Sequence, residues 1–266
     1  MDAIVLCGGF ATRLEPITLF VPKPLLPIDG RPIVDYIVRD LTNIGVNNIV
    51  VSTNQKFAVQ FGYWLNRKKA VGLRCKISIV VEPTTHEKEK FGAIKGINYA
   101  IKAAGITDDL LIIAGDNFYK FDLNRVVEKF NEGRKPTIAL YDVKSVEKAR
   151  RFGVVNVSGG RITDFQEKPA DPKSTLVSTG VYILPKEMLQ QLDRYISSGE
   201  NPDAPGYFLQ WLIRRTGATG AVFDDEWYDI GTLDTYREVF DRHLKGRKMA
   251  KGNRANAYRI EAEPTS

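Results

Sequence analysis

Strand-like and helix-like patterns alternate over the first 143 residues. This βαβα rhythm predicts an α/β protein with a three-layer α/β/α, Rossmann-like fold around a mixed, mostly parallel central sheet. Beyond residue 150 the rhythm yields to a hairpin pattern, which predicts a small antiparallel extension. Size agrees with a full core: for 266 residues, area scaling implies that about 70% of the unfolded chain's surface is buried.

Each element has a local cause. The start, MDAIVLCGG, is a short apolar run entering a glycine pair with no basic region before it, so it reads as a buried strand (Ile4 to Leu6) rather than a signal peptide. From Pro32, the residues Ile33, Val34, Ile37, Val38, Leu41 and Ile44 recur at helical spacing, with proline in the first turn and Gly45 as the stop. Asn48 to Thr53 reads as a strand, Phe57 to Leu65 as a helix and Ile77 to Val81 as a strand. A helix from Phe91 to Ala104 ends at Gly105, and a strand follows from Leu110 to Ala114. Leu123 to Asn131 is a helix closed by Gly133, and Thr137 to Val143 a strand. Val154 to Val157 and Ile162 to Glu167 flank the turn Ser158-Gly159-Gly160-Arg161 as a hairpin. Thr179 to Leu184 is a further strand, helices are expected at Lys186 to Ile196, Tyr207 to Thr216 and Leu233 to Leu244, and a strand near Ala221 to Phe223. No internal repeat or linker divides the chain, so residues 1–245 are expected to form one domain and 246–266 a short basic tail.

Composition narrows the classes. Cys7, Cys75, His86 and His243 are too few and too scattered for a zinc site or a disulfide framework. No apolar stretch approaches a membrane span, so we expect no membrane partner and a reducing cytoplasm. The net charge of +6 raises nucleic acid as a partner, but most basic residues alternate with acidic ones, as from Asp122 to Glu132, which is the pattern of a solvated surface. The exception is Lys245 to Arg259, whose basic residues read as a solubilising end. We therefore expect no nucleic-acid partner; an anionic small substrate accounts for the excess equally well.

In an open α/β sheet, ligands sit beyond the carboxyl ends of the strands. The first such end carries Gly8 and Gly9, then Arg13 and Lys23. Glycines admit a nucleotide close to the backbone, and arginine and lysine make charge-assisted contacts to phosphate. Neither the P-loop spacing nor G-x-G-x-x-G is present, so the phosphate site must be of another kind.

Read whole, Leu6-Cys7-Gly8-Gly9-Phe10-Ala11-Thr12-Arg13-Leu14 followed by Val21-Pro22-Lys23-Pro24-Leu25 resembles the signature of the sugar-1-phosphate nucleotidyltransferases, the nucleoside-diphosphate-sugar pyrophosphorylases, and among them the glucose-1-phosphate thymidylyltransferase-like members. Gly115-Asp116-Asn117, Phe152-Gly153-Val154, Glu167-Lys168-Pro169, Thr179-Gly180-Val181-Tyr182 and Trp227-Tyr228-Asp229 match further stations of that family in order. The resemblance implies a Rossmann-like nucleotidyltransferase fold and a single catalytic domain. It implies that Arg13 holds the β- and γ-phosphates, that Lys23 bridges the α-phosphate and the incoming phosphate, and that Lys168 anchors the sugar phosphate. Leu6, Gly8, Gly9, Glu82, Gly92 and Asp116 would line the nucleotide site. Gly153, Glu167, Lys168 and Thr179 would line the sugar-phosphate site, and Asp116 and Asp229 would hold Mg²⁺.

The substrates implied are a nucleoside triphosphate and a sugar 1-phosphate, with dTTP or UTP and glucose 1-phosphate as the first pairing. One departure bears on the base. Where thymidylyl- and uridylyl-type relatives have a glutamine before a proline, this chain has Glu82 before Pro83. A carboxylate only accepts hydrogen bonds, so it suits two donors on one guanine edge better than a pyrimidine carbonyl. Mannose-1-phosphate guanylyltransferase, a cytidylyltransferase with another phosphate acceptor, and a non-catalytic regulatory subunit of the same fold stay open as alternatives. A homo-oligomer stays open.

Overall fold

The computed structural model describes residues 1–243; residues 244–266, with the basic run from Lys245 and the end of the helix expected to reach Leu244, lie outside the described residues. In chain order the elements are β1 (Asp2–Leu6), β2 (Pro27–Ile28), β3 (Arg31–Pro32), α1 (Ile33–Asn43), β4 (Asn48–Asn54), α2 (Ala58–Ala70), β5 (Lys76–Glu82), α3 (Ala93–Ala104), β6 (Leu110–Ala114) and β7 (Asn117–Tyr119). They continue as α4 (Asn124–Gly133), β8 (Thr137–Asp142), α5 (Val146–Ala149), β9 (Gly153–Ser158), β10 (Arg161–Glu167), β11 (Leu176–Leu184), α6 (Gln190–Ser197), α7 (Pro205–Thr216), β12 (Ala218–Phe223) and β13 (Trp227–Asp229). Helix follows again from 233 to 243. No helix among the described residues is long and apolar enough to cross a membrane.

One nine-stranded sheet organises the chain, in the order β5-β4-β1-β6-β11-β8-β12-β10-β9. Successive side chains of a strand point to opposite faces, and the central strands are apolar on both. Ala3 and Val5 of β1 join Leu111 and Ile113 of β6 under α1, α2 and α4. Ile4, Leu110 and Ile112 face the other way, under α3, α6 and α7. The three layers follow from this two-sided burial.

The sheet is mixed, but it is not mostly parallel. β5–β4, β4–β1, β1–β6 and β8–β12 are parallel, while β6–β11, β11–β8, β12–β10 and β10–β9 are antiparallel. β11 enters the middle of the sheet running against β6. A strand buried on both faces gives the same apolar run in either direction, so its sense was not legible. The expected antiparallel extension, β10 and β9, is continuous with the main sheet through β12. Helix α4 also closes differently from expectation: Gly133 is its last helical residue and Arg134 takes the left-handed conformation, at φ 51°. The Arg134 guanidinium pairs with Asp109 at 2.8 Å and lies over the Phe130 ring.

Candidate active site

The parallel half of the sheet sets the site. β1 pairs with β6 in the register Leu6↔Ala114, and β4 pairs with β5 in the register Asn54↔Glu82. The carboxyl ends of these strands therefore open on one edge, where an α/β sheet binds ligand. The Gly115 amide donates to the Leu6 carbonyl at 2.8 Å, which sets Asp116 beside the start of the 7–25 segment. That segment is anchored beneath by Leu14, Leu26, Ile28 and Ile33, packed with Phe118, Ile230 and Val239. Lys23 reaches Asp116 with an Nζ–Oδ2 distance of 2.6 Å.

A short ladder brings the second aspartate in. β13 pairs antiparallel with β7, with Asp229 opposite Asn117, and the Ile230 amide donates to the Asp116 carbonyl at 3.2 Å. Two carboxylates far apart in sequence thus flank one point. The one on Asp229 is pushed above its ordinary range by burial and then by repulsion from Asp116, against the pull of Lys23, Arg13 and Arg151.

Two cavities meet there, and Asp116 lines both. The first, about 330 Å³, is bounded by Leu6, Gly8, Gly9, Arg13, Lys23, Glu82, Gly92 and Asp116. The second, about 260 Å³, is bounded by Asp116, Gly153, Glu167, Lys168, Thr179 and Asp229. The residues expected on the nucleotide side and those expected on the sugar side fall into these two spaces. A larger groove of about 520 Å³ between Tyr36, Asp40 and Phe118 contains none of them.

A buried glutamate stands in each cavity, cradled by two glycines. Glu82 accepts from the Ser52 hydroxyl at 3.1 Å. A Cβ on Gly8 or Gly96 would stand 3.0 or 2.7 Å from its Oε1. Glu167 sits between Gly153 and Gly206, where a Cβ would stand 3.0 and 1.8 Å from its Oε2. Burial raises both carboxyls above their usual range, opposed by Ser52 at Glu82 and by Lys168 at Glu167.

Thr179 lines the second cavity, but its hydroxyl donates to the Ala139 carbonyl, so it has no free proton to offer a ligand. Gly92 takes φ +78°, and a Cβ there would lie 2.6 Å from the Pro202 carbonyl oxygen. Its role is therefore also to seat the 202–203 backbone against the start of α3, whose Ala93 and Ile94 amides donate to Asp203 and Pro202.

Sequence reasoning assigned no site role to several residues that line or support the cavities. Ser52 and Gly96 look like ordinary strand and helix residues until Glu82 is seen between them. Asn117 follows Asp116 and donates through its side chain to the Thr179 carbonyl. Arg151, Tyr182, Gly206 and Trp227 also line the second cavity. Among the described residues the Tyr182 hydroxyl and the Trp227 indole N–H have no hydrogen-bond partner. Both orphaned donors belong to residues in the wall of this one cavity.

The chain matches the nucleotidyl transferase family over residues 2–246. It belongs to the nucleotidyl transferase family. Relatives of this nucleotidyl transferase include a protein of Sulfolobus acidocaldarius provisionally named as a mannose-1-phosphate guanyltransferase, 29% identical over 90% of this chain. The chain spans 62% of that relative's length. A D-glycero-alpha-D-manno-heptose 1-phosphate guanylyltransferase of Campylobacter jejuni is 30% identical, over 89% of this chain and 97% of its own. A UDP-glucose pyrophosphorylase solved with UDP-glucose superposes with a TM-score of 0.78 over 92% of this chain and 98% of its own. At 22% identity that likeness speaks for the fold alone.

Proposed function

We propose that this nucleotidyl transferase joins a sugar 1-phosphate to GTP, releasing pyrophosphate. The observation that carries the reading is the pair of adjoining cavities sharing Asp116, each closed by its own buried glutamate. In the first, Glu82 has one carboxylate oxygen engaged by Ser52 and, as an acceptor only, complements the adjacent N1–H and N2–H donors of guanine. This favours GTP over the dTTP or UTP first expected. The names of the Sulfolobus and Campylobacter relatives support guanylyl transfer and make manno-configured sugar 1-phosphates the first acceptors to try. Glucose 1-phosphate follows them.

In the reaction a sugar-phosphate oxygen attacks the α-phosphorus, the bond from the α-phosphorus to the bridging oxygen breaks, and pyrophosphate leaves. A phosphate monoester with a second pKa of about 6 is already a dianion at neutral pH, so no general base is required. Catalysis then rests on alignment and charge neutralisation. Arg13 holds the β- and γ-phosphates, Lys23 moves from Asp116 to the α-phosphate, and Lys168 anchors the incoming phosphate. Cys7, buried beside Asp116, has its thiol raised well above its ordinary range by burial and by that carboxylate, which keeps it protonated and disfavours a covalent route.

Among the described residues no three metal-ligating side chains cluster. Asp116 and Asp229 nevertheless suit Mg²⁺, which commonly takes one or two carboxylates and fills its shell from substrate phosphates and water. When bound, the cation would neutralise phosphate charge. Residues 1–245 are the proposed catalytic unit, and both cavities lie within the described residues 1–243.

Glu82→Gln tests the base. Losing a charged acceptor is worth roughly 1.5–3 kcal/mol, so kcat/KM for GTP is expected to fall about 10- to 100-fold while that for UTP or dTTP rises. An unchanged nucleotide profile would remove Glu82 from base recognition. A second readout is stability. Because the folded-state pKa of Glu82 is raised, the native state binds its proton more tightly than the unfolded state does. Stability is therefore lost as pH climbs from the unfolded towards the folded value. Glu82→Gln should melt above the wild type at pH 8, and the gap should close at pH 4.

A further inference from the structure

We propose that Arg151 binds the phosphate of the sugar 1-phosphate, as the counterpart in the second cavity of Arg13 in the first; this rests on the transfer reaction given above. Arg151 lines the second cavity together with Asp116, Asp229 and Lys168. The other cations near the acidic pair are partly committed. Lys23 is held by Asp116 at 2.6 Å and Lys168 lies 3.6 Å from Glu167. The neighbouring Arg150 pairs with Glu147 at 2.9 Å. Among the described residues Arg151 has no carboxylate within ion-pairing distance, although Asp229 feels its charge. Arg13 is in the same position at the other side: a Cβ on Gly231 would stand 3.6 Å from Arg13 Nη2 and 3.5 Å from Asp229 Oδ2. The acidic pair is thus flanked by one unpaired arginine in each cavity.

The backbone explains how Arg151 and Lys168 come to act together. The Lys168 amide donates to the Phe152 carbonyl at 3.0 Å, and Glu167 pairs with Gly153 across the β9–β10 ladder. Lys168 itself takes φ 47°, a left-handed conformation that non-glycine residues adopt at a cost and that clusters at ligand sites. Phe152 is wedged edge-on against Trp227, which fixes the turn carrying Arg151. Two cations are thereby presented on neighbouring backbone stations, matching the two negative charges of a phosphate monoester. Lysine supplies a point charge and arginine a planar fork that grips two phosphate oxygens. That division puts Arg151 on the non-attacking oxygens and leaves the third oxygen free to face the α-phosphorus.

The test is steady-state kinetics of wild type, Arg151→Met and Arg151→Lys with GTP and mannose 1-phosphate each varied, and with inorganic phosphate as competitor. In Arg151→Met the KM for the sugar phosphate and the inhibition constant of inorganic phosphate are expected to rise about 10- to 100-fold, as for a lost charged hydrogen bond. The KM for GTP should change less than about twofold, because the contact is not made to that substrate. Arg151→Lys should fall between, and both variants should melt with the wild type. A folded Arg151→Met with unchanged KM for the sugar phosphate, or with both KM values raised alike, would overturn the proposal and leave the transferase reading standing. A wild type silent with every nucleotide and sugar phosphate would overturn both.

Discussion

Asp116→Asn is expected to lower turnover by on the order of 10²–10³-fold, the scale of losing one preorganised electrostatic group at a transferring centre. Asp116 is the one predicted residue that borders both cavities, and it holds Lys23 at 2.6 Å. Asparagine keeps the shape and removes the charge. The fold should persist, since the Asp116 backbone contact to Ile230 is untouched and the repulsion that raises Asp229 is relieved. The melting temperature should therefore stay near that of the wild type, the lost Lys23 pair offsetting the relieved repulsion, while the dependence on Mg²⁺ is lost. Full activity in a folded Asp116→Asn protein would refute the placement of transfer at this point.

Gly206→Ala is expected to disable the sugar side alone. Gly206 lies in the first turn of α7, and alanine is favoured over glycine in helices by about 1 kcal/mol, so on propensity the change should stabilise. The space forbids it. The new Cβ would stand 1.8 Å from Glu167 Oε2 and 3.1 Å from Phe165 Cε1, and overpacking of this kind costs about 1–3 kcal/mol. At about 2–4 °C per kcal/mol for a domain of this size, the melting temperature should drop by roughly 2–12 °C. With Glu167 displaced, the KM for the sugar phosphate should rise about tenfold or more, as for a lost charged hydrogen bond, while the KM for GTP stays in place. Combining Gly206→Ala with Glu167→Asp, which withdraws the carboxylate by one methylene, should restore the melting temperature and not the KM. A Gly206→Ala protein with normal sugar kinetics would place Glu167 outside the sugar site.

Much of the candidate site's geometry was legible because its residues sit where chain direction is unambiguous. The ends of β1, β5 and β6 carry Gly8, Glu82 and Asp116 directly after apolar runs, and parallel register alone brings them to one edge. Asp229 was legible only through its motif. The β13–β7 ladder that sets it beside Asp116 is three residues long, too short to leave a periodic pattern. Gly206 was hidden because Pro205-Gly206 reads as an ordinary helix start, and nothing local reports that Glu167 needs its missing side chain. Arg151 was hidden among basic neighbours; only the cavity separates it from the paired Arg150. The antiparallel entry of β11 left no trace either, since burial on both faces erases the alternation that would have marked it as unlike β6.

The most direct test of the central claim is pyrophosphate release by the wild-type protein with Mg²⁺, across GTP, dTTP, UTP, CTP and ATP against mannose, glucose and N-acetylglucosamine 1-phosphates. The two-cavity site predicts release that requires both substrates at once, greatest with GTP, and a product containing guanosine diphosphate joined to the sugar. Pyrophosphate released from a nucleotide without any sugar phosphate, or no release from folded protein in any combination, would contradict it.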